Sequence, residues 1–506
     1  MTADLNDLEL LLDSRVPLLV IESFEEPRVL EMITRLAVKR GVALYVWSVT
    51  EGLQRLAFGG GLPEDAETCD AEAALRQIKA DERQPGIFVL CDFHPWLKDE
   101  PVNIRLLREI AMAHQRLGHT VVLLSHRLQL PEELRRYSAR FELSMPSEEQ
   151  LMNLVREEAS AWSKSRGNRA VRSDTETFRR LVSNLRGVSL QDARQLVRGA
   201  IYDDGAIDES DLPEVNKAKF ALMDMEGVLS FEYDTARFSE VGGLSRLKTW
   251  LDERRRFFDS SGDPRLESPK GIMLLGVQGS GKSLAAKAVA GSWSLPLLRL
   301  DFGSLYNKFF GETERNLREA LKLADMMSPC VLWLDEIEKG ISTADNDQGI
   351  SQRVLGTLLT WMAERDSQAF VVATSNDISR LPPELVRKGR LDEIFFVDLP
   401  GHSVRREIFA IHLQRRNEAP SAFDLDRLAT MTEGFSGAEI EQSVVSALYR
   451  VAALDGALNQ ADVEQSILDT NPLSVVMAEK IASLRAWARE RCVFADDPEE
   501  AHYESD

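Results

Sequence analysis

Gly276, Val277, Gln278, Gly279, Ser280, Gly281, Lys282 and Ser283 run consecutively and satisfy the pattern GxxxxGK[ST] at every required position. Glycines let such a loop turn its backbone N–H groups toward phosphate oxygens, and a helix opening at its end adds a positive pole. Lys282 then sets a charge against the β- and γ-phosphates, and the Ser283 hydroxyl is an oxygen ligand for Mg2+. Leu284 carries the chain into the helix. The loop follows an apolar run, GIMLLGV (271–277), so it stands at the end of an expected strand, the context in which the pattern has meaning. A second apolar run, CVLWLDE (330–336), ends in two acids. Asp335 can hold Mg2+ through its water shell, and Glu336 can polarise an attacking water as general base. Acidic pairs at strand ends are common on surfaces. This one stands in the third strand of the domain that carries the loop, which favours hydrolysis of a nucleoside triphosphate.

The elements around these groups alternate. Strand-like runs at 271–277, 295–301, 330–336, 370–376 and 393–399 are separated by helical stretches, and 403–469 reads as all helix, a lid. Strands rich in Val, Leu and Ile between helices imply a parallel sheet covered on both faces. The first part of the chain has the same rhythm, with five runs at 16–23, 42–48, 86–92, 120–126 and 139–145 followed by helices to about 201. Asp92 ends its run as Asp335 does, Ser125 corresponds to Ser375, and 187–189 corresponds to 434–436. A nearly constant offset is what a duplicated domain gives, although any two α/β domains share strand rhythm. The expected fold class is therefore α/β: a parallel-sheet phosphate-loop module with a helical lid, preceded by a second, degenerate α/β domain. The expected divisions are 1–147 for that first domain and 148–201 for its helical segment. Then come a linker at 202–237, the large nucleotide domain at 238–400, the lid at 401–470, a C-terminal helix at 471–494 and an acidic tail at 495–506.

The first copy lacks the phosphate loop. Its first strand leads into ESFEEPR (22–28), which sets acids where phosphates would lie, and its third offers Asp92-Phe93 in place of Asp-Glu. It is expected not to bind ATP. The triglycine 59–61 reads as a surface loop. His94 and His126 stand alone near strand ends and are not expected to ligate a metal.

Bulk composition excludes several classes. The 506 residues are too many for one ordinary core. No apolar run approaches the roughly 18 residues of a membrane span, and the N-terminal segment is acidic, unlike a signal peptide. A net charge of −21, from 61 basic and 82 acidic residues, opposes binding to nucleic acid or to an acidic membrane surface. Cys69, Cys91, Cys330 and Cys492 are scattered without a CxxC pair, so neither a zinc site nor a disulfide framework is indicated, and a reducing cytoplasm is the expected location.

Five further segments, in order, resemble those of the classical AAA ATPases. FSEVGGL (238–244) is similar to the family's segment beside the adenine, which implies that Val241 and Gly242 touch the base. KFFGETE (308–314) is similar to the central-pore loop, with Phe309 and Phe310 as its aromatics. ATSN (373–376) matches sensor 1, which gives Asn376 the task of orienting the water or the γ-phosphate. LVRKGRLD (385–392) is similar to the region with two arginine fingers, Arg387 and Arg390, although alone it would read as a basic turn. GFSGAE (434–439) is similar to the lid motif in which Gly437 and Ala438 approach the nucleotide. The stretches 381–400 and 472–492 resemble, more narrowly, an AAA subfamily of cyanobacteria, red-algal plastids and other bacteria, labelled there as a hypothetical chloroplast reading frame. Its members also begin with a domain that lacks a phosphate loop. The resemblance implies an AAA+ ATPase that uses ATP and Mg2+ and forms a homo-oligomeric ring, most often a hexamer. Such a ring remodels or disassembles a protein client; the alternative is an ATP-gated scaffold or switch that threads nothing.

Overall fold

The structure is a computed structural model that describes residues 2–56, 66–82, 84–223, 229–233, 235, 238–259, 267–302, 305, 313–341, 348–377, 381–382, 384–385, 389–453 and 456–497. The chain forms two compact units, 1–146 and 147–506. The division falls where Pro146 gives way to Ser147, whose side chain accepts from Gln150 N while Gln150 Oε1 accepts from Ser147 N. That capping box starts the long helix Glu148–Ser165 and fixes where irregular chain ends.

In the first unit, β1 (Leu18–Glu22), β2 (Ala43–Ser48), β3 (Gly52–Arg55), β4 (Gly86–Cys91), β5 (Thr120–Ser125) and β6 (Ser138–Phe141) form one sheet in the order β3-β2-β4-β5-β1-β6. All pairings are parallel except the hairpin β2–β3. The third member of that hairpin side, β3, lies outside the five expected strands. Its sequence, GLQR, is short and half polar because it forms the sheet edge. The inner strands β4 and β5 are buried along their whole length, which is why they read as unbroken apolar runs. Two apolar clusters cover the sheet, one around Trp47, Phe88 and Leu107, the other around Ile21, Met32 and Leu36.

The second unit opens with helices Glu148–Ser165, Thr175–Asn184, Leu190–Tyr202 and Asp211–Leu222 and a short parallel pair, β7 (Arg172–Ser173) and β8 (Ala206–Ile207). Helix Asp211–Leu222 corrects the expectation of a linker over 202–237. It carries Leu212 and Val215 on its buried face, but Asn216 and Lys219 are buried with them, and that polar content hides the helical period. The main sheet contains β9 (Leu229–Glu232), β10 (Gly271–Gly276), β11 (Leu297–Asp301), β12 (Cys330–Asp335), β13 (Ala369–Ser375), β14 (Glu393–Val397) and β15 (Val493–Phe494). Their order is β15-β14-β10-β13-β12-β11-β9, with β9 antiparallel to β11 and the others parallel. The C-terminal segment therefore ends in a strand rather than a helix. Ala495, assigned by sequence to the acidic tail, is buried at the edge of the core.

The five parallel strands β14-β10-β13-β12-β11 repeat the order β6-β1-β5-β4-β2 of the first unit. Register then corrects one correspondence. Glu22 pairs with Ser125 as Leu275 pairs with Ser375, and Cys91 lies opposite Leu124, one residue before Ser125. Cys91 thus takes the place of Asp335, and Asp92 that of Glu336. The backbone agrees: Asp92 and Glu336 are both left-handed, at φ 51° and 48°. The two histidines read as solitary are also brought together, because β4 and β5 are neighbours: one donor atom each from Asp92, His94 and His126 falls within 4.8 Å of the others.

No helix among the described residues is long and apolar enough to cross a membrane.

Lys219 is fully buried and donates through Nζ to Arg186 O. Burial pushes its ammonium down from 10.5 to about 7. Between those values the unfolded chain holds the proton that the folded chain has released, so stability rises with pH across this window. One such group contributes a slope of up to about 1.4 kcal/mol per pH unit. The urea midpoint of the full chain should accordingly rise between pH 7 and pH 9, and Lys219→Met should flatten that rise; an unchanged slope in the variant would exclude Lys219 as its source.

Candidate functional site

Strand β10 is buried throughout, and its last residue has to be glycine: a Cβ on Gly276 would stand 2.0 Å from Val397 O of the adjoining β14. The chain then turns through Gly279 and Gly281, at φ 77° and 97°, into the helix Lys282–Trp293. These left-handed angles suit glycine and turn successive N–H groups toward one side. Lys282 is buried, and its Nζ donates to Gly276 O at 2.9 Å and Val277 O at 2.7 Å. Burial pushes this ammonium down to about 8, opposed by the charges of Glu338, Glu336 and Asp335.

The carboxylates arrive from the neighbouring strands. Asp335 ends β12; its Oδ1 accepts from Thr374 Oγ1 at 2.9 Å and its Oδ2 from Arg299 Nη2 at 2.7 Å. Thr374 Oγ1 in turn accepts from Glu336 N at 3.1 Å, so one hydroxyl sets both acids. Glu336 Oε1 accepts from Asn376 Nδ2 at 2.9 Å, and the second oxygen pairs with Lys339. Asn376 N donates to Glu338 Oε1, while the buried Glu338 Oε2 has no partner among the described residues. The lid helix Gly437–Ala452 points its first turn at the loop: Ala438 N donates to Gly279 O at 3.3 Å. Glu439 fixes that turn by accepting from Ser436 N and, with its other oxygen, from Leu473 N, both at 2.7 Å.

These elements enclose a cavity of about 540 Å3. Val241, Gly242, Gln278, Gly279, Ser280, Gly281, Lys282, Ser283, Leu284, Asp335, Glu336, Asn376, Gly437 and Ala438 all line it. Gly276 and Val277 lie behind it, through the carbonyls that hold Lys282. Arg390 does not line it; its guanidinium donates to Glu384 O. Arg387, Phe309 and Phe310 lie outside the described residues. Sequence reasoning missed Thr374 and a lid wall of Ile408, Ile411, His412, Arg415 and Glu441. Isoleucines and polar residues mixed at helical spacing look like an ordinary amphipathic helix, and nothing in their order marks them. Burial pushes His412 down, against the attraction of Glu441.

The cavity suits a nucleotide with its cation. Two left-handed glycines form a cradle, the buried Ser280 Oγ has no partner among the described residues, and the donors facing Lys282 are oxygens, which suit Mg2+.

Residues 272–399 match the family described as the ATPase family associated with various cellular activities (AAA). Residues 4–143 and 149–226 match the N-terminal and second domains of the SpoVK-like AAA ATPases. With this fold and this pocket, the chain belongs to the AAA ATPases, and it hydrolyses ATP. Within them it belongs to the ycf46 group. It is 34% identical over 489 residues to the AAA domain-containing protein ycf46 of Pyropia yezoensis, across 95% of this chain and 97% of the relative. The ycf46 protein of Trieres chinensis is 33% identical, across 96% of each chain. The proteasome-activating nucleotidase of Aeropyrum pernix is 37% identical over 218 residues, 40% of this chain and 53% of that one.

Thr374→Val keeps the volume but removes the hydroxyl that orients both acids. Its ATPase turnover should fall about 10–100-fold, with nucleotide affinity within a few-fold of wild type. Steady-state hydrolysis and binding of a fluorescent ADP analogue measure the two; unchanged turnover would remove Thr374 from the site's architecture.

Proposed function

We propose that the chain works as a ring-forming ATPase that remodels a protein partner, and that the residues meeting at the cavity divide its chemistry between them. The observation that carries this reading is the convergence of Lys282, Asp335, Glu336 and Asn376 at one pocket whose roof is the lid. Backbone N–H groups of 278–283 and the Lys282 ammonium hold the β- and γ-phosphates. Ser283 and Asp335 hold Mg2+, which supplies charge neutralisation at those phosphates. Glu336 takes the proton of the attacking water, and its bond from Asn376 aims the carboxylate. Val241 and Gly242 border the base, and Gly437 and Ala438 close over the phosphates. Lys282 can leave Gly276 O and Val277 O for a phosphate with little loss, because a charged acceptor is a stronger partner than two carbonyls.

Among its described lining residues, the lysine and arginine side chains are Lys282 and Arg415. Arg390 is not among those lining residues and donates to Glu384 O, which supports a finger given to a neighbouring subunit, together with Arg387. That arrangement needs a closed homo-oligomer, in keeping with a hexamer. A protein client is favoured by the net charge, which opposes nucleic acid, and by likeness to a nucleotidase named for activating the proteasome. Phe309 and Phe310 are the groups proposed to grip the client. The first unit joins β1 to its helix through three residues, 23–25, where the ATPase unit uses five, 277–281. That loop is too short for a cradle and carries Glu25, so the first unit serves assembly or recognition without ATP. Four free thiols support a reducing compartment such as the cytoplasm.

Glu336→Gln should bind ATP normally and turn over about 10²–10⁴-fold more slowly, while Lys282→Ala should fail to bind. Mixing Lys282→Ala subunits with Arg387→Ala/Arg390→Ala subunits should restore hydrolysis, since each supplies what the other lacks. Mixed rings without recovered activity would rule out a finger acting between subunits.

Phe309→Ala should keep ATPase activity and ring formation yet fail to complement the phenotype of a gene deletion. Full complementation would remove the gripping role and leave an ATP-gated scaffold as the better account.

A further inference from the structure

The first unit has its own cluster of chemistry-bearing groups, at the ends of its strands rather than in a phosphate loop. Asp92 follows β4, held in the left-handed region while its N–H donates to Leu124 O at 2.8 Å. His94 comes two residues later and opens the short helix His94–Leu97, anchored by the fully buried Phe93 between them. His126 follows β5, the strand beside β4. Sites in open parallel sheets form outside the carboxyl ends of the strands. In the register shared with the ATPase sheet, Asp92 stands where Glu336 does.

The three side chains converge without bonding one another. A donor atom of each lies within 4.8 Å of the other two. His126 Nδ1 and Asp92 Oδ1 are 4.0 Å apart, too far for a hydrogen bond. The two imidazole rings are perpendicular with centroids 4.8 Å apart. His94 Nδ1 is buried and has no hydrogen-bond partner among the described residues. Direct pairing therefore does not account for the cluster. A cation does: ligands about 2.0–2.2 Å from a common centre stand roughly 3.3 Å from each other in a tetrahedral site, so modest side-chain rotation closes the set. Phe24, from the loop after β1, stacks on His126 at 5.7 Å and 29° although it is 80% exposed, which backs the imidazole with an apolar surface.

We infer that the first unit carries a zinc-class metal site, with Asp92, His94 and His126 as its ligands and at least one coordination position open. Two imidazoles and one carboxylate select Zn2+, Co2+ or Ni2+ over Mg2+ and Ca2+, which prefer oxygen alone. The site is separate from the Mg2+ position at Ser283 and Asp335 in residues, in donor type and in the unit that holds it. It gives the strand ends of the first unit a ligand other than nucleotide.

Titration of the chelator-treated full chain with Co2+, in excess Mg2+, tests this through the visible absorbance of cobalt and by calorimetry. One Co2+ per chain should bind with a nitrogen–oxygen ligand-field spectrum, and Zn2+ should displace it. His126→Ala, a change at a half-exposed side chain, should weaken binding at least about tenfold, and so should His94→Ala. Lys282→Ala should bind Co2+ as wild type does, and circular dichroism of each variant reports on folding. Absence of stoichiometric uptake, or equal uptake by His126→Ala, would overturn the assignment. A sulfur charge-transfer band would do so too, by moving the metal to the cysteines.

Discussion

The ATPase unit is arranged around one buried cation. An ammonium taken out of water loses several kcal/mol of hydration, and Lys282 recovers part of it from two loop carbonyls and three carboxylates close by. Each of those partners makes its own demand. The carbonyls of Gly276 and Val277 face the ammonium because the loop turns back through glycines, and Gly276 can approach β14 that closely for want of a Cβ. Asp335 and Glu336 arrive at the right height because β12 and β13 end in register with β10, and the Thr374 hydroxyl ties the two acids to β13. The sheet order is thus a requirement of the site: β10, β13 and β12 have to be adjacent for one lysine to see all its partners.

Comparison of the two sheets separates what the strand order does from what the loops do. Both bring the ends of a first, third and fourth parallel strand together. In the ATPase unit the first strand ends in glycines and lysine, and the cluster binds anions. In the first unit it ends in Glu22, Ser23 and Phe24, and the places of Asp335 and Glu336 are taken by Cys91 and Asp92. The Cys91 thiol is pushed up to about 12 by burial and by neighbouring carboxylates, so it supplies no charge. The same topology thus presents an acidic, imidazole-bearing set, suited to a cation, where its counterpart presents a cradle for phosphate.

Much of this was legible in the sequence, for reasons that differ by element. The phosphate loop was legible because its backbone angles and its buried charge restrict residue types at fixed spacing. Inner strands were legible because burial on both faces demands unbroken apolar runs. Helix Asp211–Leu222 was not, since Lys219 sits on its buried face and finds its partner, Arg186 O, 33 residues away. The one-residue slip at Asp92 arose because an acid after an apolar run can end a strand or begin the turn beyond it, and the pairing of β4 with β5 decides which. His94 and His126 looked solitary because 31 intervening residues fold into helices and a strand before the chain returns. Thr374 was read as part of a run; its hydroxyl matters through two hydrogen bonds that cross from one strand to the next.

The C-terminal segment shows how the pocket's walls are tied together. Strand β15 pairs with β14, and Ala495 N donates to Phe396 O. Asp496 then accepts from Leu244 N, Ser245 N and Ser245 Oγ, capping helix Ser245–Asp259 beside Gly242. Upstream, Arg485 grips Asp398 at the end of β14 with contacts at 3.0 and 2.9 Å, and Leu473 N holds Glu439 at the start of the lid helix. One stretch of chain therefore touches the base-side edge, the sheet and the lid. A lid that shifted on the sheet would pull on Leu473 at one end and Asp398 at the other. The capping carboxylate of Asp496 would feel the same movement through β15. The acidic end of this segment, which composition alone assigns to solvent, is in its first residues part of the frame that holds the nucleotide pocket.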